Sequence, residues 1–182
     1  MKITPTEIGD VLLVEPVVHG DDRGFFLESW HAERYAEAGI ALPFVQDNHS
    51  RSVRGTLRGL HYQVVRPQGK LVRVVRGAIF DVAVDLRRGS PTFGRWVGTV
   101  LSDENRHQLW VPPGFAHGFF VTADSADVIY KCTDYYAREH ESTLRWDDPA
   151  IGIEWPLANG CAPRLSPKDA AGLAFEEAPT YP

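Results

Sequence analysis

The chain has 182 residues, of which 43% are hydrophobic and 24% are charged, as expected of a globular protein long enough to form a substantial core. Acidic residues outnumber basic ones, 24 to 19, which argues against a general binder of nucleic acid or of anionic membranes. Cys132 and Cys161 form no CxxC pattern, and residues 1–5 lack the apolar run of a signal peptide. We therefore expect a single domain over residues 1–182, located in the reducing cytoplasm and without a membrane span.

The N-terminal quarter combines short strands with one helix. An apolar run at residues 11–14 predicts a strand, and so does the aromatic run that follows the turn at residues 21–24. His31–Ala38 is the best helical segment, because Gly39 stands where a C-terminal cap belongs.

From Phe44 onward the hydrophobic pattern changes to a period of two. Short runs rich in Val, Phe or Trp are separated by turn residues and predict strands at residues 44–50, 57–63, 70–76, 78–86, 95–101, 107–111, 115–121 and 128–133. Evenly spaced short strands of this kind indicate an all-β sandwich or barrel. We expect no helix between Leu57 and Tyr136.

The C-terminal part predicts irregular packed segments around residues 146–156, followed by a short helix. Ser166 suits the N-cap of this helix, Pro167 its first position, and Gly172 its end. On this spacing alone, Asp169 is predicted to be a capping carboxylate.

A polar stretch from Arg58 to Lys70 interrupts the apolar strands. In a regular strand Arg58 and His61 would lie on opposite faces. Gly59 between them predicts a bulge or a close approach of another backbone.

A second polar run, Pro112-Pro113-Gly114-Phe115-Ala116-His117, has the pattern Pro-x-Gly-x-x-His. Together with His61 it resembles the paired motifs of the cupin jelly-roll barrels, in which His-x-His and Glu in the first motif and His in the second bind a metal. Here Gln63 stands two residues after His61, and no Glu follows at the expected distance. Two imidazoles fall short of the three protein ligands of a catalytic metal site. We therefore expect an all-β, cupin-type jelly-roll barrel with a few short peripheral helices and no metal.

A metal-free barrel with an inward-facing histidine favours proton-transfer chemistry. Histidine has the side-chain pKa closest to physiological pH, so His61 suits a general base. Lys70 offers a cation for developing negative charge, and Tyr130 offers a weak acid. The sequence alone leaves open whether these groups meet.

Seven motifs follow one another as in the dTDP-4-dehydrorhamnose 3,5-epimerase family, which the chain resembles from Arg23 to Asp169. They are residues 58–63, 68–74, 80–85, 90–94, 113–119, 130–136 and 165–169. The resemblance implies a cofactor-free isomerase that converts dTDP-4-dehydro-6-deoxy-D-glucose to dTDP-4-dehydro-L-rhamnose. Such an enzyme serves the biosynthesis of dTDP-L-rhamnose for cell-surface polysaccharide.

The resemblance also implies roles for individual residues. His61, held by Asp169, would abstract the protons at C3 and C5, which flank the C4 ketone. Lys70 would stabilise the enolate, with Asp81 orienting it, and Tyr130 would protonate from the opposite face.

The substrate-binding residues implied by the family's motifs are Arg23, Glu28, Gln46, Asn48, Arg58, His117, Tyr136, Glu141 and Lys168. Among these, Tyr136 would stack on the thymine ring. Plain structural roles remain open for four of them: Arg23 and Glu28 could be surface charges, Tyr136 core or interface filler, and Glu141 part of a solvated turn.

Family members are homodimers with strands exchanged across the interface, so the resemblance implies a homodimer here. Phe25 and Phe26 are candidates for that contact. One departure from the family is Cys132, where Thr is often found.

Three alternative functions remain open from the sequence. A related enzyme could epimerise only C3 or only C5, or act as a ketoisomerase of a similar nucleotide-linked sugar. A metal-dependent cupin and a non-catalytic sugar-binding barrel are the others.

Overall fold

A computed structural model describes residues 1–157 and 161–182, and most of its elements are short β-strands. The strands, numbered in chain order, are β1 Lys2–Pro5, β2 Leu12–Glu15, β3 Val18–Asp21, β4 Gly24–Leu27, β5 Gln46–Val53, β6 Leu57–Gln63, β7 Lys70–Arg76, β8 Ala78–Asp85, β9 Trp96–Ser102, β10 Gln108–Val111, β11 Phe115–Val121, β12 Ser125–Cys132 and β13 Glu141–Thr143. The helices are α1 Ala32–Glu37, a 3₁₀ turn at Arg138–His140, and α2 Pro167–Ala170.

Two antiparallel sheets form the body of the molecule. The larger sheet has the order β1-β2-β10-β7-β12-β5, and the smaller has the order β13-β6-β11-β8-β9. From β5 to β8, and again from β9 to β12, consecutive strands alternate between the two sheets, as in a jelly roll. The all-β, cupin-type jelly roll with a few short helices is therefore confirmed, although the two sheets remain separate rather than joining into one closed barrel. Within residues 57–136, all of which the structure describes, there is no helix, as expected.

The smaller sheet is buried on both faces, which explains its long apolar runs. One face packs against the larger sheet, where Ala83 and Phe119 belong to the same core cluster as Val72 and Val128. The other face is covered by the C-terminal segment, whose Trp155 packs in a second cluster with strand residues of the smaller sheet. The predicted packed segments of the tail thus form a layer over this sheet.

The sequence did not predict β1, β3 or β13, and the last of these has only three residues. β1 is only four residues long and ends in Pro5, while β3 is exposed along its whole length, so neither has the alternating apolar pattern of a half-buried strand. The helix predicted at residues 31–38 is confirmed, and Gly39 follows it with a φ of 95°. In the described part of the chain, no helix has the length and apolar character needed to cross a membrane.

A bulge at Gly59 decides which side chains of β6 face the space between the sheets. His61 pairs with His117 of β11, whereas Arg58 pairs with Phe119, so three steps along β6 oppose two along β11. The extra residue reverses the alternation, and Arg58 and His61 consequently line the same cavity. The predicted irregularity is confirmed.

The bulge depends on the absence of a side chain at Gly59. Its φ is +131°, and a Cβ placed there would lie 2.5 Å from the Cα of Gly118 on β11. Two glycines therefore face each other across β6 and β11 at this point.

Candidate active site

A cavity of about 360 Å³ opens between the two sheets, within the usual size range of small-molecule sites. Both sheets contribute to its walls, so residues far apart in sequence meet there. Most of the predicted site residues line it, namely Gln46, Asn48, Arg58, His61, Lys70, His117, Tyr130, Tyr136, Glu141 and Lys168.

His61 on β6 forms a hydrogen-bonded pair with Asp169 on α2. The His61 Nε2 atom lies 2.5 Å from Asp169 Oδ1, and the hydroxyl of Ser166 donates to Asp169 Oδ2 at 2.7 Å. Ser166 has the N-cap role predicted for it, because its hydroxyl accepts from the backbone N–H of Asp169. The Asp169 carboxylate, predicted from its spacing to cap the helix, bonds instead to His61 and to the Ser166 hydroxyl. The same short helix thus supplies both a cap and a buried carboxylate behind His61.

The surroundings of this pair, burial above all, favour a neutral imidazole. Burial lowers the pKa of His61, and the Asp169 hydrogen bond opposes this shift in part, while the nearby charges of Lys168 and Lys70 reinforce it. Burial alone would raise the pKa of Asp169, but the hydrogen bonds from His61 and Ser166 outweigh it and hold that pKa below its usual value. With Nε2 donating to the carboxylate, Nδ1 of His61 is left free to accept a proton.

Lys70 begins β7 on the opposite sheet and is buried. Its ammonium donates to the backbone carbonyl of His61 at 3.3 Å. Burial lowers the pKa of Lys70, and Cys132, Asp81 and Glu141 oppose that shift. A buried cation beside the imidazole is suited to stabilise an oxyanion.

Tyr130 lies on β12, in the larger sheet, and therefore on the wall opposite His61. Burial raises the pKa of its phenol, and the charge of Arg58 opposes this shift. The phenol consequently stays protonated at neutral pH and can act as a proton donor.

His117 and Asp81 form a second histidine–carboxylate pair, with His117 Nε2 at 2.9 Å from Asp81 Oδ1. Asp81 is fully buried, and its Oδ2 atom has no hydrogen-bond partner within residues 1–157 and 161–182. The family resemblance implies that Asp81 orients Lys70, but the hydrogen bond of Asp81 goes to His117, because β8 and β11 are neighbouring strands. Asp81 affects Lys70 through its charge, which partly opposes the lowering of the Lys70 pKa by burial.

Positive and aromatic groups surround the mouth of the cavity. Lys168 donates to Glu141 Oε1 at 2.8 Å, and the hydroxyl of Tyr136 donates to Glu141 Oε2 at 3.0 Å. Glu141 is therefore part of a bonded cluster rather than of a solvated turn, and its pKa lies below the usual range because these two bonds outweigh its burial. The ring of Tyr136 remains about half exposed, and Arg58 donates to the Ser52 hydroxyl at 2.8 Å.

A chain of amide side chains continues from the mouth along the wall that β5 provides. Gln46 donates to Asn48 Oδ1 at 3.0 Å, and Asn48 in turn donates to the sulfur of Cys132 at 3.4 Å. The predicted placement of Gln46 and Asn48 on one face of a strand is thus confirmed.

Two predicted binding residues, Arg23 and Glu28, do not reach this cavity within the chain. Arg23 lies in the β3–β4 hairpin, where it pairs with Asp21, and Glu28 pairs with Arg34 at 2.7 Å. The hairpin forms a two-stranded sheet of its own.

Sequence reasoning missed several residues of the cavity wall, namely Ser50, Tyr62, Gln63, Gln68, Phe119 and Cys132. For Gln63 a signal was present, because it occupies the position of a metal-ligating histidine in metal-binding cupins. Within the described part of the chain, no group of three or more His, Cys, Asp or Glu side chains is arranged to hold a metal ion.

Fold and site together define a jelly-roll protein whose cavity has groups suited to proton transfer: a carboxylate-backed imidazole on one wall, a phenol on the other, and a buried lysine. Comparison with known proteins agrees with this class. The family model described as dTDP-4-dehydrorhamnose 3,5-epimerase matches residues 5–177. The chain therefore belongs to the dTDP-4-dehydrorhamnose 3,5-epimerase family and is an isomerase of the carbohydrate epimerase class.

Three similar proteins illustrate this relationship. The dTDP-4-dehydrorhamnose 3,5-epimerase of Pseudomonas aeruginosa is 58% identical over 183 residues, covering 100% of both chains. The crystal structure of a dTDP-6-deoxy-D-glucose-3,5-epimerase from Legionella pneumophila, in complex with dTDP-4-keto-L-rhamnose, matches with a TM-score of 0.94 at 54% identity and covers 97% of this chain and 93% of that one. ChmJ, a 3′-monoepimerase from Streptomyces bikiniensis in complex with dTDP-quinovose, has a TM-score of 0.88 at 36% identity and covers 95% of this chain and 87% of that one.

Proposed function

We propose that the chain converts dTDP-4-dehydro-6-deoxy-D-glucose to dTDP-4-dehydro-L-rhamnose by epimerising C3 and C5, a step in dTDP-L-rhamnose biosynthesis. The observation that carries this proposal is the position of His61 and Tyr130 on opposite sheets that line one cavity. Inversion at a carbon requires that the proton leave from one face of the sugar and return to the other. Two walls with a base on one and an acid on the other meet this requirement.

The first step is abstraction of a proton next to the C4 ketone by Nδ1 of His61. Because burial lowers the pKa of His61, the imidazole is neutral and ready to accept a proton at physiological pH. The imidazolium that forms donates to the ionised Asp169, which stabilises it without taking the proton.

In the second step Lys70 stabilises the negative charge that moves to the C4 oxygen. The buried ammonium of Lys70 supplies a cation where water is excluded, so its attraction for an enolate is stronger than it would be in solvent. Asp81 and Glu141 help to keep Lys70 protonated despite its burial.

The third step is protonation of the enolate by Tyr130 from the other face. The raised pKa of Tyr130 keeps its proton in place until the enolate forms. After the first inversion His61 holds the proton that it removed and Tyr130 is a phenolate, and proton exchange with solvent restores both groups. Because C3 and C5 both flank the C4 ketone, the same base and acid then serve the second carbon.

The mouth of the cavity suits the nucleotide part of the substrate. We assign the diphosphate to Arg58 and Lys168, since guanidinium and ammonium groups pair with phosphate oxygens. Tyr136 offers a half-exposed ring for stacking on thymine, and its bond to Glu141 fixes the ring's orientation. Gln46, Asn48 and His117 would contact the sugar and nucleoside as hydrogen-bonding groups.

The proposal is tested by incubating the protein with dTDP-4-dehydro-6-deoxy-D-glucose in D₂O and following the sugar by NMR. Deuterium should appear at both C3 and C5. Deuterium at one carbon alone would make the chain a mono-epimerase, the activity that is named for the similar ChmJ structure. Movement of the carbonyl to C3 would instead indicate a ketoisomerase, and a loss of activity with a chelator would indicate a metal-dependent reaction. No turnover with retained binding would leave a sugar-binding protein.

We also propose that the chain forms a homodimer through the β3–β4 hairpin. Phe25 and Phe26 are 61% and 70% exposed, which is unusual for aromatic side chains at neighbouring positions. A second copy that covers them would also bring Arg23 and Glu28 to its partner's cavity, and this accounts for their distance from the cavity of their own subunit.

The dimer is tested by light scattering on a Phe26→Asp variant, with Val100→Asp as the control, because Val100 is also about half exposed but lies on β9. The wild type and the control should have the mass of a dimer, and the Phe26 variant that of a monomer with reduced activity. A Phe26 variant that remains a fully active dimer would contradict this interface.

We place the enzyme in the cytoplasm, without a nucleic-acid or membrane partner and without a cofactor. The support is chemical. The substrate is a nucleotide sugar, the reaction needs no redox group, and Cys132 and Cys161 are both unpaired thiols.

A further inference from the structure

The segment that carries Tyr136 across the mouth of the cavity has no regular secondary structure. Residues 133–137 connect β12 to the 3₁₀ turn, and they take part in no strand pairing. The backbone N–H and C=O groups of such a segment need other partners if the segment is to be held in one conformation.

Gln63 supplies two of these partners. Its Oε1 atom accepts from the backbone N–H of Ala137 at 2.8 Å, and its Nε2 atom donates to the carbonyl of Tyr135 at 3.3 Å. The two bonds thus bracket Tyr136 on both sides. The same Nε2 atom donates to the carbonyl of Arg66 at 2.8 Å, so Gln63 also ties in the loop after β6.

Two more glutamines complete the set. Gln46 Oε1 accepts from the backbone N–H of Tyr136 at 2.9 Å, and Gln68 Nε2 donates to the carbonyl of Asp134 at 2.8 Å. Each of the four residues from Asp134 to Ala137 therefore has one backbone group that is hydrogen-bonded to a glutamine side chain. We call Gln46, Gln63 and Gln68 the glutamine clip.

We propose that Gln63 and Gln68 are positioning residues that hold Tyr136 in place for the nucleotide base, acting through the backbone of residues 134–137. This inference rests on the proposed function, because it takes the ligand to be a dTDP-linked sugar. A ring fixed before binding loses less conformational entropy when the base arrives than a ring on a mobile segment does. Gln63 thus occupies the place of a cupin metal ligand but acts on nucleotide affinity.

The matched test compares Gln63→Met with Gln108→Met. Both glutamines are buried and donate to a backbone carbonyl, but Gln108 bonds to Ser29 and does not line the cavity. At equal folded fraction and equal oligomeric state, Gln63→Met should bind dTDP about tenfold more weakly than the wild type does, which corresponds to ~1.4 kcal/mol. Its KM should rise, while its kcat should stay within about twofold of the wild-type value. Gln108→Met should leave the dTDP affinity and the KM unchanged. Inorganic pyrophosphate should bind equally well to the wild type and to both variants.

A double-mutant cycle separates positioning of Tyr136 from a general structural effect. In a Tyr136→Ala background, Gln63→Met should cause no further loss of dTDP affinity, because the ring that it positions is gone. If Gln63→Met does not fold, Gln68→Met replaces it, since that amide is only partly buried and makes one bond to the segment. Its expected effect has the same sign and is smaller.

The outcomes distinguish the inference from the function on which it rests. A wild-type protein that does not bind dTDP would overturn both. If the wild type binds dTDP and Gln63→Met or Gln68→Met binds it as tightly as Gln108→Met does, the glutamine clip has no positioning role and the proposed function stands. A full loss of affinity that persists in the Tyr136→Ala background would also refute action through Tyr136.

Discussion

Replacing Asp169 with Asn should slow the reaction by removing one charge while keeping the shape of the site. The Asp169 Oδ1 atom accepts from His61 Nε2 at 2.5 Å, and an Asn Oδ1 atom can accept in the same place. The Asn amide can donate to the Ser166 hydroxyl, which now donates to Asp169 Oδ2. The tautomer of His61 is therefore kept, and only the stabilisation of its imidazolium form is lost.

The size of the effect follows from the kind of bond that is changed. A hydrogen bond to a charged group contributes about 1.5–3 kcal/mol, and a buried, short bond lies toward the upper end of that range. A loss of about 2–3 kcal/mol in the transition state corresponds to a decrease in kcat of about 30- to 150-fold. The charge of Asp169 also raises the pKa of His61, so the acidic limb of the rate profile should move to lower pH in the variant.

The assay measures kcat from pH 4 to 9 by NMR, with thermal unfolding as a check on folding. Asp148→Asn is the matched control, since Asp148 is an equally buried carboxylate that accepts from the backbone of Ala150 and Phe175. The control should lose stability but keep its kcat and its pH profile. An Asp169→Asn enzyme with wild-type kcat and an unmoved acidic limb would refute the role given to this carboxylate.

Three further predictions concern the acid, the pH dependence and the bulge. Tyr130→Phe should still exchange substrate protons with D₂O but form product about 100-fold more slowly, as NMR in D₂O would reveal; product at the wild-type rate would exclude Tyr130 as the acid. The rate of the wild type should rise with pH through a limb below pH 6.5, because burial lowers the pKa of His61 and the base must be neutral. The rate should fall again through a limb below pH 10.5, because burial lowers the pKa of Lys70 and the lysine then loses its charge. Limbs above these pH values would contradict the assignments. Gly59→Ala should reduce the free energy of unfolding by ~3 kcal/mol or more in urea titrations because of its positive φ and the facing backbone, whereas Gly9→Ala, with open space around it, should cost less than about 1 kcal/mol.

The strand pattern of the fold could be predicted because the sheets alternate in a regular way. β6, β7 and β11 have the predicted bounds, and the other core strands differ by one to three residues at their ends. The hairpin strand β3 escaped prediction because its residues are exposed on both faces, so its sequence carries no burial pattern. A strand that packs on nothing within its own chain leaves little hydrophobic signal.

The position of Arg58 shows how a local glycine signal can correct a general rule. Strict alternation puts Arg58 and His61 on opposite faces, and the sequence indicated only that Gly59 would disturb it. The structure adds the register: one extra residue on β6 brings both side chains to one cavity. The size of a bulge depends on the facing strand, which a sequence pattern for one strand does not contain.

The two histidine–carboxylate pairs differ in how far the sequence could lead to them. Asp169 is 108 residues from His61, and its spacing indicated only a helix cap, so the link came from the family resemblance. Asp81 is different, because a carboxylate inside the apolar run of β8 must find a partner when buried. That signal was present, but the partner His117 emerges only from the adjacency of β8 and β11.

The most direct test of the account is the rate of deuterium incorporation at C3 and at C5 by a folded His61→Ala variant. If one imidazole removes both protons, exchange at both carbons should fall together by about 10²- to 10⁴-fold, the usual contribution of a general base. Wild-type exchange at either carbon would show that a different group removes that proton, and the account of a single base serving both centres would be wrong.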